Sequence, residues 1–272
     1  ACVESRHDPM CVAGVSRDYV LFELHRAPRR SAFAAAIGGV LVVLASHALI
    51  VRLPSTVLRF MEQAFRIEGM ASVLLVNDLL AAYFVTFFVG LGSVLDATVA
   101  AREEGLLELL LAKPVPARVL LAARIAPVLG VAAGTGSIVA IAIAVAVSSH
   151  IAVGDPMSTA GALGSSLFLV AIGVALLSLL LPLLVVARDR LHAMLLAAML
   201  WMVPLLPSGI FIYRPDLFDA EHPAGSWLLL PSLLWHDATL VWGGPLALAA
   251  SVPFGASMIA LAGWLLERSD AR

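Results

Sequence analysis

Residues 119–148, VLLAARIAPVLGVAAGTGSIVAIAIAVAVS, hold a single charged side chain, Arg124. A helix of about 20 predominantly apolar residues is long enough to cross the hydrocarbon core of a bilayer. The strands of a membrane barrel alternate polar and apolar residues, whereas the run IVAIAIAVAV at 138–147 does not. This stretch therefore predicts a membrane-spanning helix and places the chain among all-α integral membrane proteins.

The composition of the whole chain agrees with that assignment. Of its 272 residues, 61% are hydrophobic and 13% are charged, and the mean hydropathy is +0.98. Soluble domains average roughly 45–50% apolar and 25% charged residues. The net charge of -2 leaves no basic surface for a nucleic acid. Cys2 and Cys11 flank His7 and Asp8, but their spacing matches no zinc pattern, so no metal site is predicted.

Segments similar in length and hydropathy to 119–148 occur throughout the chain. The sequence predicts six spans, at 32–52, 71–96, 119–148, 159–187, 191–213 and 244–266. Together they make a transmembrane domain over 32–266. Residues 1–31 are then a cytoplasmic N-terminus and residues 267–272 a cytoplasmic tail.

The positions of arginine and lysine predict the orientation of these spans. With the N-terminus inside, thirteen of the seventeen basic residues fall at cytoplasmic ends. They are Arg6, Arg17, Arg26, Arg29, Arg30, Arg102, Lys113, Arg118, Arg124, Arg188, Arg190, Arg268 and Arg272. Only Arg52, Arg59, Arg66 and Arg214 fall outside. We therefore expect a multi-pass protein of the cytoplasmic (inner) membrane with both termini in the cytoplasm.

Three segments outside the spans have patterns of their own. Residues 16–30, SRDYVLFELHRAPRR, favour a helix on the membrane surface before the first span, with an ordinary cytoplasmic helix as the alternative. Residues 53–70 favour a short external helix that lies on the membrane. Residues 214–243 combine an acidic turn with an apolar run too short to cross, which predicts a re-entrant or interfacial hairpin held by its tryptophans.

The segment AREEGLLELLLAKPVPARV, residues 101–119, lies between the second and third spans. On a helix, Leu106, Leu107 and Leu110 share one sector, and the glutamates occupy another. The pattern predicts a short amphipathic helix of the kind that docks onto a partner. The alternative is a solvated helical turn whose leucines rest on lipid.

The glutamates of this segment indicate what kind of partner it would meet. Glu104 and Glu108 are one turn apart, and a like-charge pair at this spacing costs a few tenths of a kcal/mol in an isolated helix. A basic surface would relieve that repulsion. Pro114 and Pro116 then end the helix before the next span begins.

The thirty residues from Asp96 to Ile125, DATVAAREEGLLELLLAKPVPARVLLAARI, resemble the segment between the second and third spans of ABC-2 type transporter permeases. The shared features are an acidic cluster, a glycine, LELLL, a proline and a basic residue. The resemblance implies that residues 101–114 form the coupling helix, which in that family sits in a cleft of a separate P-loop ATPase subunit. It implies ATPase contacts for Glu103, Glu104, Gly105, Glu108 and Pro114. Ala101 and Leu106 depart from the family pattern, in which a glutamate and a threonine are usual.

The same resemblance implies how the complex is assembled. A second permease subunit, identical or related, would form the translocation pathway with this one, surrounded by membrane lipid. ATP and Mg would bind in the partner ATPase. The chain itself shows no catalytic residues, and its glycine-rich run GVAAGTGS at 130–137 lacks the lysine of a phosphate-binding loop. Those glycines are instead expected to let helices pack closely.

Polar residues within the spans are the candidates for a translocation pathway. Asn77 and Asp78 lie roughly 10 Å inside the outer end of the second span, where an ionisable group is costly unless it faces protein or water. The alternative is that the span starts later and Asp78 lies at the interface. His47 and His150 are expected to be interfacial side chains near external ends.

Three other functions compete with an exporter subunit. An intramembrane enzyme should show a buried serine with a histidine, paired aspartates or a zinc motif, and none of these patterns is present. A secondary transporter driven by ions would carry charged groups at the bilayer midplane. A membrane scaffold would need no transport chemistry at all. A co-purifying ATPase distinguishes the exporter from all three.

Overall fold

The computed structural model describes residues 29–65, 69–105, 116–152, 157–203, 205–206 and 237–269 of the chain. In this part of the chain the regular secondary structure is helical. The helices are α1 (Arg29–Ile50), α2 (Ser55–Phe65), α3 (Met70–Leu95), α4 (Ala101–Glu103), α5 (Ala117–Ser148), α6 (Thr159–Val186), α7 (Arg190–Met202) and α8 (Asp237–Ser269). A π-helical turn, Asp96–Ala100, joins α3 to α4 without a break.

Five of these helical segments are long and apolar enough to cross a membrane, so the chain is a multi-pass membrane protein. They are Ala32–Ile50, Met70–Glu103, Ala117–Ser148, Thr159–Val186 and Val241–Arg268. They coincide with five of the six predicted spans. At the remaining predicted span, 191–213, the structure describes α7, which has 13 residues and is too short to cross by itself.

Other predicted segments are described in part or not at all. The predicted surface helix before the first span lies almost entirely outside the described residues. Residues 214–236 of the predicted hairpin also lie outside the described residues. Helix α8 begins at Asp237, so the last residues of the predicted hairpin, 237–243, belong to that helix.

Local sequence signals account for where several helices begin. The Ser158 hydroxyl accepts a hydrogen bond from the Gly161 N–H at 2.9 Å and caps α6. The Asp189 carboxylate accepts one from the His192 N–H at 2.7 Å and caps α7. Both are the short polar side chains that satisfy unpaired N–H groups in a first helical turn. Pro116, which cannot donate a backbone hydrogen bond, immediately precedes α5.

The bundle has two chemically different ends, which we call the arginine end and the histidine end. At the arginine end, Arg102 contacts the end of α6, and Gly263 of α8 lies against Arg118 of α5. At the histidine end, the rings of His47 and His150 lie 5.6 Å apart. One hydrophobic cluster packs toward each end.

Helix α6 is the centre of the bundle. It contacts α3, α5 and α8, and 61% of its most apolar stretch of 18 residues is buried. Helices α1 and α8 are peripheral, because only 28% of the corresponding stretch is buried in each. Large apolar side chains on α1, such as Phe33 and Leu41, are therefore exposed to the surroundings of the bundle.

The short helix predicted within 53–70 is present as α2; that it lies outside the membrane stays a prediction. Leu58 and Met61 turn toward the hydrophobic cluster of the histidine end. Val57 and Phe60, at the same spacing on another face, are exposed. The helix therefore presents apolar side chains both to the bundle and away from it, as an interfacial helix does.

The glycines of residues 130–137 do not pack as a group. A side chain built at Gly130 or Gly134 would meet no atom within 4 Å. Gly136 alone lies against another helix, where Thr86 occupies the space of a side chain. Our expectation of close packing is therefore correct for one of the three glycines and wrong for the other two.

The closest helix approaches involve glycines of α8. A Cβ atom at Gly244 would overlap the backbone of Gly164 in α6. One at Gly263 would lie 2.6 Å from the Arg118 Cα in α5. Since backbone cannot move aside as a side chain can, these two positions fix how closely α8 packs on its neighbours.

Helix α7 is held to α3 by aromatic residues. The Tyr83 hydroxyl donates a hydrogen bond to the Trp201 carbonyl at 2.8 Å. The Trp201 ring stacks on Tyr83 with a centroid distance of 6.4 Å, and it lies 5.1 Å from the Phe84 ring. Aromatic pairs at such distances contribute about 0.5–1.5 kcal/mol beyond the area they bury.

Candidate functional site

The second membrane-spanning segment is much longer than the hydrocarbon core of a membrane is thick. Met70–Glu103 contains 34 residues, or about 50 Å of helix, against a hydrocarbon core of about 30 Å. It begins near the histidine end and finishes at the arginine end. The start of the predicted coupling segment is thus continuous with a transmembrane helix.

Gly105 ends this long helix. Its φ angle of 69° lies in the left-handed region, which a residue with a Cβ atom adopts only with strain. Its N–H donates to the Arg102 carbonyl at 3.0 Å, and the Glu104 N–H donates to the Ala100 carbonyl at 2.9 Å. A left-handed glycine at this position is a common helix stop.

Residues just before Gly105 attach the helix to the turn between α6 and α7. The Arg102 guanidinium donates to the Val185 carbonyl at 3.0 Å and also to the Ala187 carbonyl. Arginine suits this position because its planar fork carries several donors, and the last carbonyls of a helix lack partners within it.

Two acidic residues complete the attachment through α7. A carboxylate oxygen of Glu103 accepts a hydrogen bond from the Arg190 backbone N–H at 3.0 Å. The Arg190 guanidinium lies 3.5 Å from the Asp96 carboxylate, and both side chains are exposed. We call Asp96, Arg102, Glu103 and Arg190 the arginine clamp. It joins the predicted coupling segment to helices distant in sequence.

The residues implied to contact an ATPase divide into three groups. Glu103 belongs to the arginine clamp and so has a partner within the chain. Glu104 is exposed, and Gly105 shapes the turn. Glu108 and Pro114 lie outside the described residues. Contact of any of them with an ATPase stays a prediction.

A second group of polar residues lies near the histidine end, between α1 and α3. One oxygen of the Asp78 carboxylate accepts from the Ser46 hydroxyl at 2.5 Å and from the Asn77 amide at 3.1 Å. The other oxygen lies 2.5 Å from Nε2 of His47. We call Ser46, His47, Asn77 and Asp78 the polar cluster.

The polar cluster lies inside the membrane-spanning part of the bundle. Helix α3 begins at Met70, about 12 Å of helix before Asp78. Asp78 is 1% exposed and His47 is 7% exposed. Both side chains are therefore covered by the bundle, although His47 lies in the last turn of α1. The depth of Asp78 and His47 in the membrane stays a prediction.

An open groove of about 670 Å³ adjoins the polar cluster. Its walls are residues of α1 and α3, and Ser46, Asn77 and Asp78 lie at one end. The rest of the lining is apolar: Ala35, Gly38, Gly39, Val42, Leu80, Ala81, Phe84, Val85, Phe88 and Val89. The two residues predicted as candidates for a translocation pathway, Asn77 and Asp78, thus border a cavity of the size that small ligands occupy.

We expect removal of His47 to destabilise the protein strongly. In His47→Ala one oxygen of the buried Asp78 carboxylate loses its hydrogen-bond partner, and leaving a buried polar group unpaired costs about 1–3 kcal/mol, more if the group is charged. His150→Ala is the matched control, because the His150 ring contacts His47 without taking part in the hydrogen bonds of the polar cluster. Thermal unfolding of both variants in one detergent measures the difference. Equal midpoints would contradict a stabilising His47–Asp78 pair.

The described residues offer no ready metal centre. Among them, no group of three or more His, Cys, Asp or Glu side chains is placed to hold a metal ion.

Comparison of the sequence with models of known protein families gives no match, and comparison with curated proteins gives no match either.

Proposed function

We propose that this chain is the transmembrane permease subunit of an ATP-binding cassette exporter. A separate P-loop ATPase would bind the segment 101–114, and a second permease subunit would complete the translocation pathway. The proposal rests on the resemblance of Asp96–Ile125 to the ABC-2 permeases and on the way this segment is anchored.

The observation that carries the proposal is the arginine clamp. A coupling helix must transmit a displacement of the ATPase to the membrane helices. Here the start of the segment is hydrogen-bonded to the last carbonyls of α6 and to the first turn of α7. A push on this segment would therefore reach α6 and α7 as well as the two helices that flank it.

The long second span connects the arginine clamp to the opposite end of the bundle. Met70–Glu103 connects the arginine clamp at one end to the polar cluster and its groove at the other. Packed helices transmit displacement well because protein interiors have low compressibility. A ligand in the groove and a partner on residues 101–114 would thus act on the same helix.

Purification of the tagged chain from its native host in a mild detergent tests the proposal. We expect mass spectrometry to find a P-loop ATPase in stoichiometric amount. Its reproducible absence from an intact, folded chain would contradict an exporter subunit and favour a scaffold or an ion-driven transporter.

Arg102→Ala should uncouple the complex without dissociating it. Hydrogen bonds to a charged group contribute roughly 1.5–3 kcal/mol each, so their loss should lower transport-coupled ATP turnover by about tenfold. ATPase recovery should stay normal, because the variant leaves Glu104 and Glu108 in place. Arg188→Ala is the matched control: it removes an exposed arginine from the same end of the bundle. Equal turnover in the two variants would exclude the clamp from coupling.

A proton-driven secondary transporter is the second candidate. The buried His47–Asp78 pair favours it, since transporters of this kind carry ionisable groups inside the membrane. Transport by the purified chain in vesicles, driven by a pH gradient with no nucleotide present, would support this function over the first.

A further inference from the structure

The groove between α1 and α3 has the shape of a site for a long, thin apolar group. On α1 its lining runs from Ala35 to Ser46, and on α3 from Asn77 to Val89. By helix rise, each wall is about 17 Å long. This is close to half the roughly 30 Å hydrocarbon core, the depth that one acyl chain occupies. The groove therefore matches an alkyl chain in length.

The walls of the groove leave room for such a chain. Gly38 lines it, and a Cβ atom there would meet nothing within 4 Å. Exposed apolar side chains, among them Val42 and Phe88, face it. The lining is apolar along most of its length, so a large polar molecule would lose hydration there without gaining partners.

One end of the groove differs sharply from the rest. Asn77 is exposed although it lies within a membrane-spanning helix, and the Asp78 carboxylate lies directly behind it. Asp78 is the one ionisable residue among the described residues that line the groove. The Asp78 carboxylate is itself buried, and Ser46 and Asn77 both donate to the same one of its oxygens. A cationic donor that displaced the exposed Asn77 amide would replace a neutral hydrogen bond to that oxygen with a charge-assisted one.

From these features we infer that the groove binds a cationic amphiphile, with its alkyl chain along α1 and α3 and its ammonium group against Asn77 and Asp78. Binding depends on this chain alone. That the amphiphile is also the transported substrate rests on the proposed function.

Charge separates this occupant from a second copy of the chain. Two copies inserted in the same direction would meet about a two-fold axis normal to the membrane, which brings equivalent residues to the same depth. The same groove residues of the second copy include no basic side chain that could pair with Asp78. An ammonium group has the complementary charge.

Photolabelling of the purified chain in lipid nanodiscs tests the inference. The probe is a dodecylammonium with a photoreactive group in its alkyl chain. We expect mass spectrometry to locate the label on α1 and α3. Unlabelled dodecylammonium should compete at least about tenfold better than dodecyl sulfate or dodecanol, because charges near a protein surface interact strongly at short range.

Three variants show whether the groove and its acid are responsible. Gly38→Leu fills the groove and should abolish labelling. Gly130→Leu is its control, since that glycine is also open to the surroundings but lies on α5 outside the groove. Asp78→Asn should remove the preference for the cation. If it fails to fold, the competition series on the wild-type chain still measures that preference.

Other outcomes would overturn the inference. Equal competition by the three unlabelled amphiphiles would mean that the groove accepts any lipid. Labelling unchanged by Gly38→Leu would place the probe elsewhere. No labelling, together with disulfide cross-linking between copies that carry Gly38→Cys, would show that a second copy fills the groove. A co-purifying ATPase without probe binding would refute this inference and leave the proposed function standing, whereas binding without an ATPase would do the reverse.

Discussion

Glu104→Lys combined with Glu108→Lys should release the ATPase from the chain while leaving membrane insertion intact. The exposed Glu104 and the glutamate one turn later would otherwise meet a basic surface of the partner. Reversing both charges puts like charges opposite each other, which costs several kcal/mol at an interface. We expect at least a tenfold loss of co-purified ATPase, measured against the amount of permease recovered.

Glu267→Lys controls for a change of charge at the same end of the bundle. Glu267 is exposed in the last turn of α8 and lies outside the segment 101–114. This variant should retain the ATPase. Normal recovery and normal coupled turnover in the double variant would refute the docking role of residues 101–114.

Gly244→Ala should produce the largest loss of stability of any single methyl group that we can place in the bundle. The added Cβ atom overlaps the backbone of Gly164, so α8 and α6 must move apart along an extensive contact. Overpacking against movable side chains typically costs about 1–3 kcal/mol. Against backbone we expect about 3 kcal/mol or more, seen as a lower midpoint of thermal unfolding in detergent.

The neighbouring glycine makes this prediction specific. Gly243→Ala adds the same methyl group one position earlier in the same helix, where a Cβ atom meets nothing within 4 Å. Its midpoint should be unchanged or slightly higher, because alanine favours a helix more than glycine does. Equal losses in both variants would point to a general intolerance of this helix and would contradict a close approach at Gly244.

The sequence predicts the membrane helices well because their signal is local. Length and hydropathy alone identify the five long spans, and Pro116 and Ser158 mark where α5 and α6 begin. Which glycines make close contacts between helices is harder to predict from the sequence. Gly130 and Gly134 form a plausible packing motif in the sequence, yet Gly244 and Gly263 make the close approaches. Which face of a helix meets a neighbour depends on how the whole bundle is arranged.

The candidate sites show the same limit. Asp78 stands out in the sequence because an acid within a span is costly. Its partner His47 does not, because the two residues are 31 positions apart and meet only when α1 packs against α3. For Arg102 and Arg190, the sequence predicts only the side of the membrane on which they lie. Their contacts with the end of α6 and with Asp96 depend on the tertiary fold.

The π-helical turn at Asp96–Ala100 sets the direction in which the side chains of α4 point around the helix axis. Such a turn contains one residue more than an α-helical turn, and each residue advances a helix by about 100°. Deleting one residue there would make the helix regularly α-helical from α3 through α4. It would also turn Arg102 and Glu103 by about that angle, away from the carbonyls of α6 and the start of α7. The inserted residue thus rotates the end of this helix by about one residue's angle, so that Arg102 and Glu103 face the partners with which they bond.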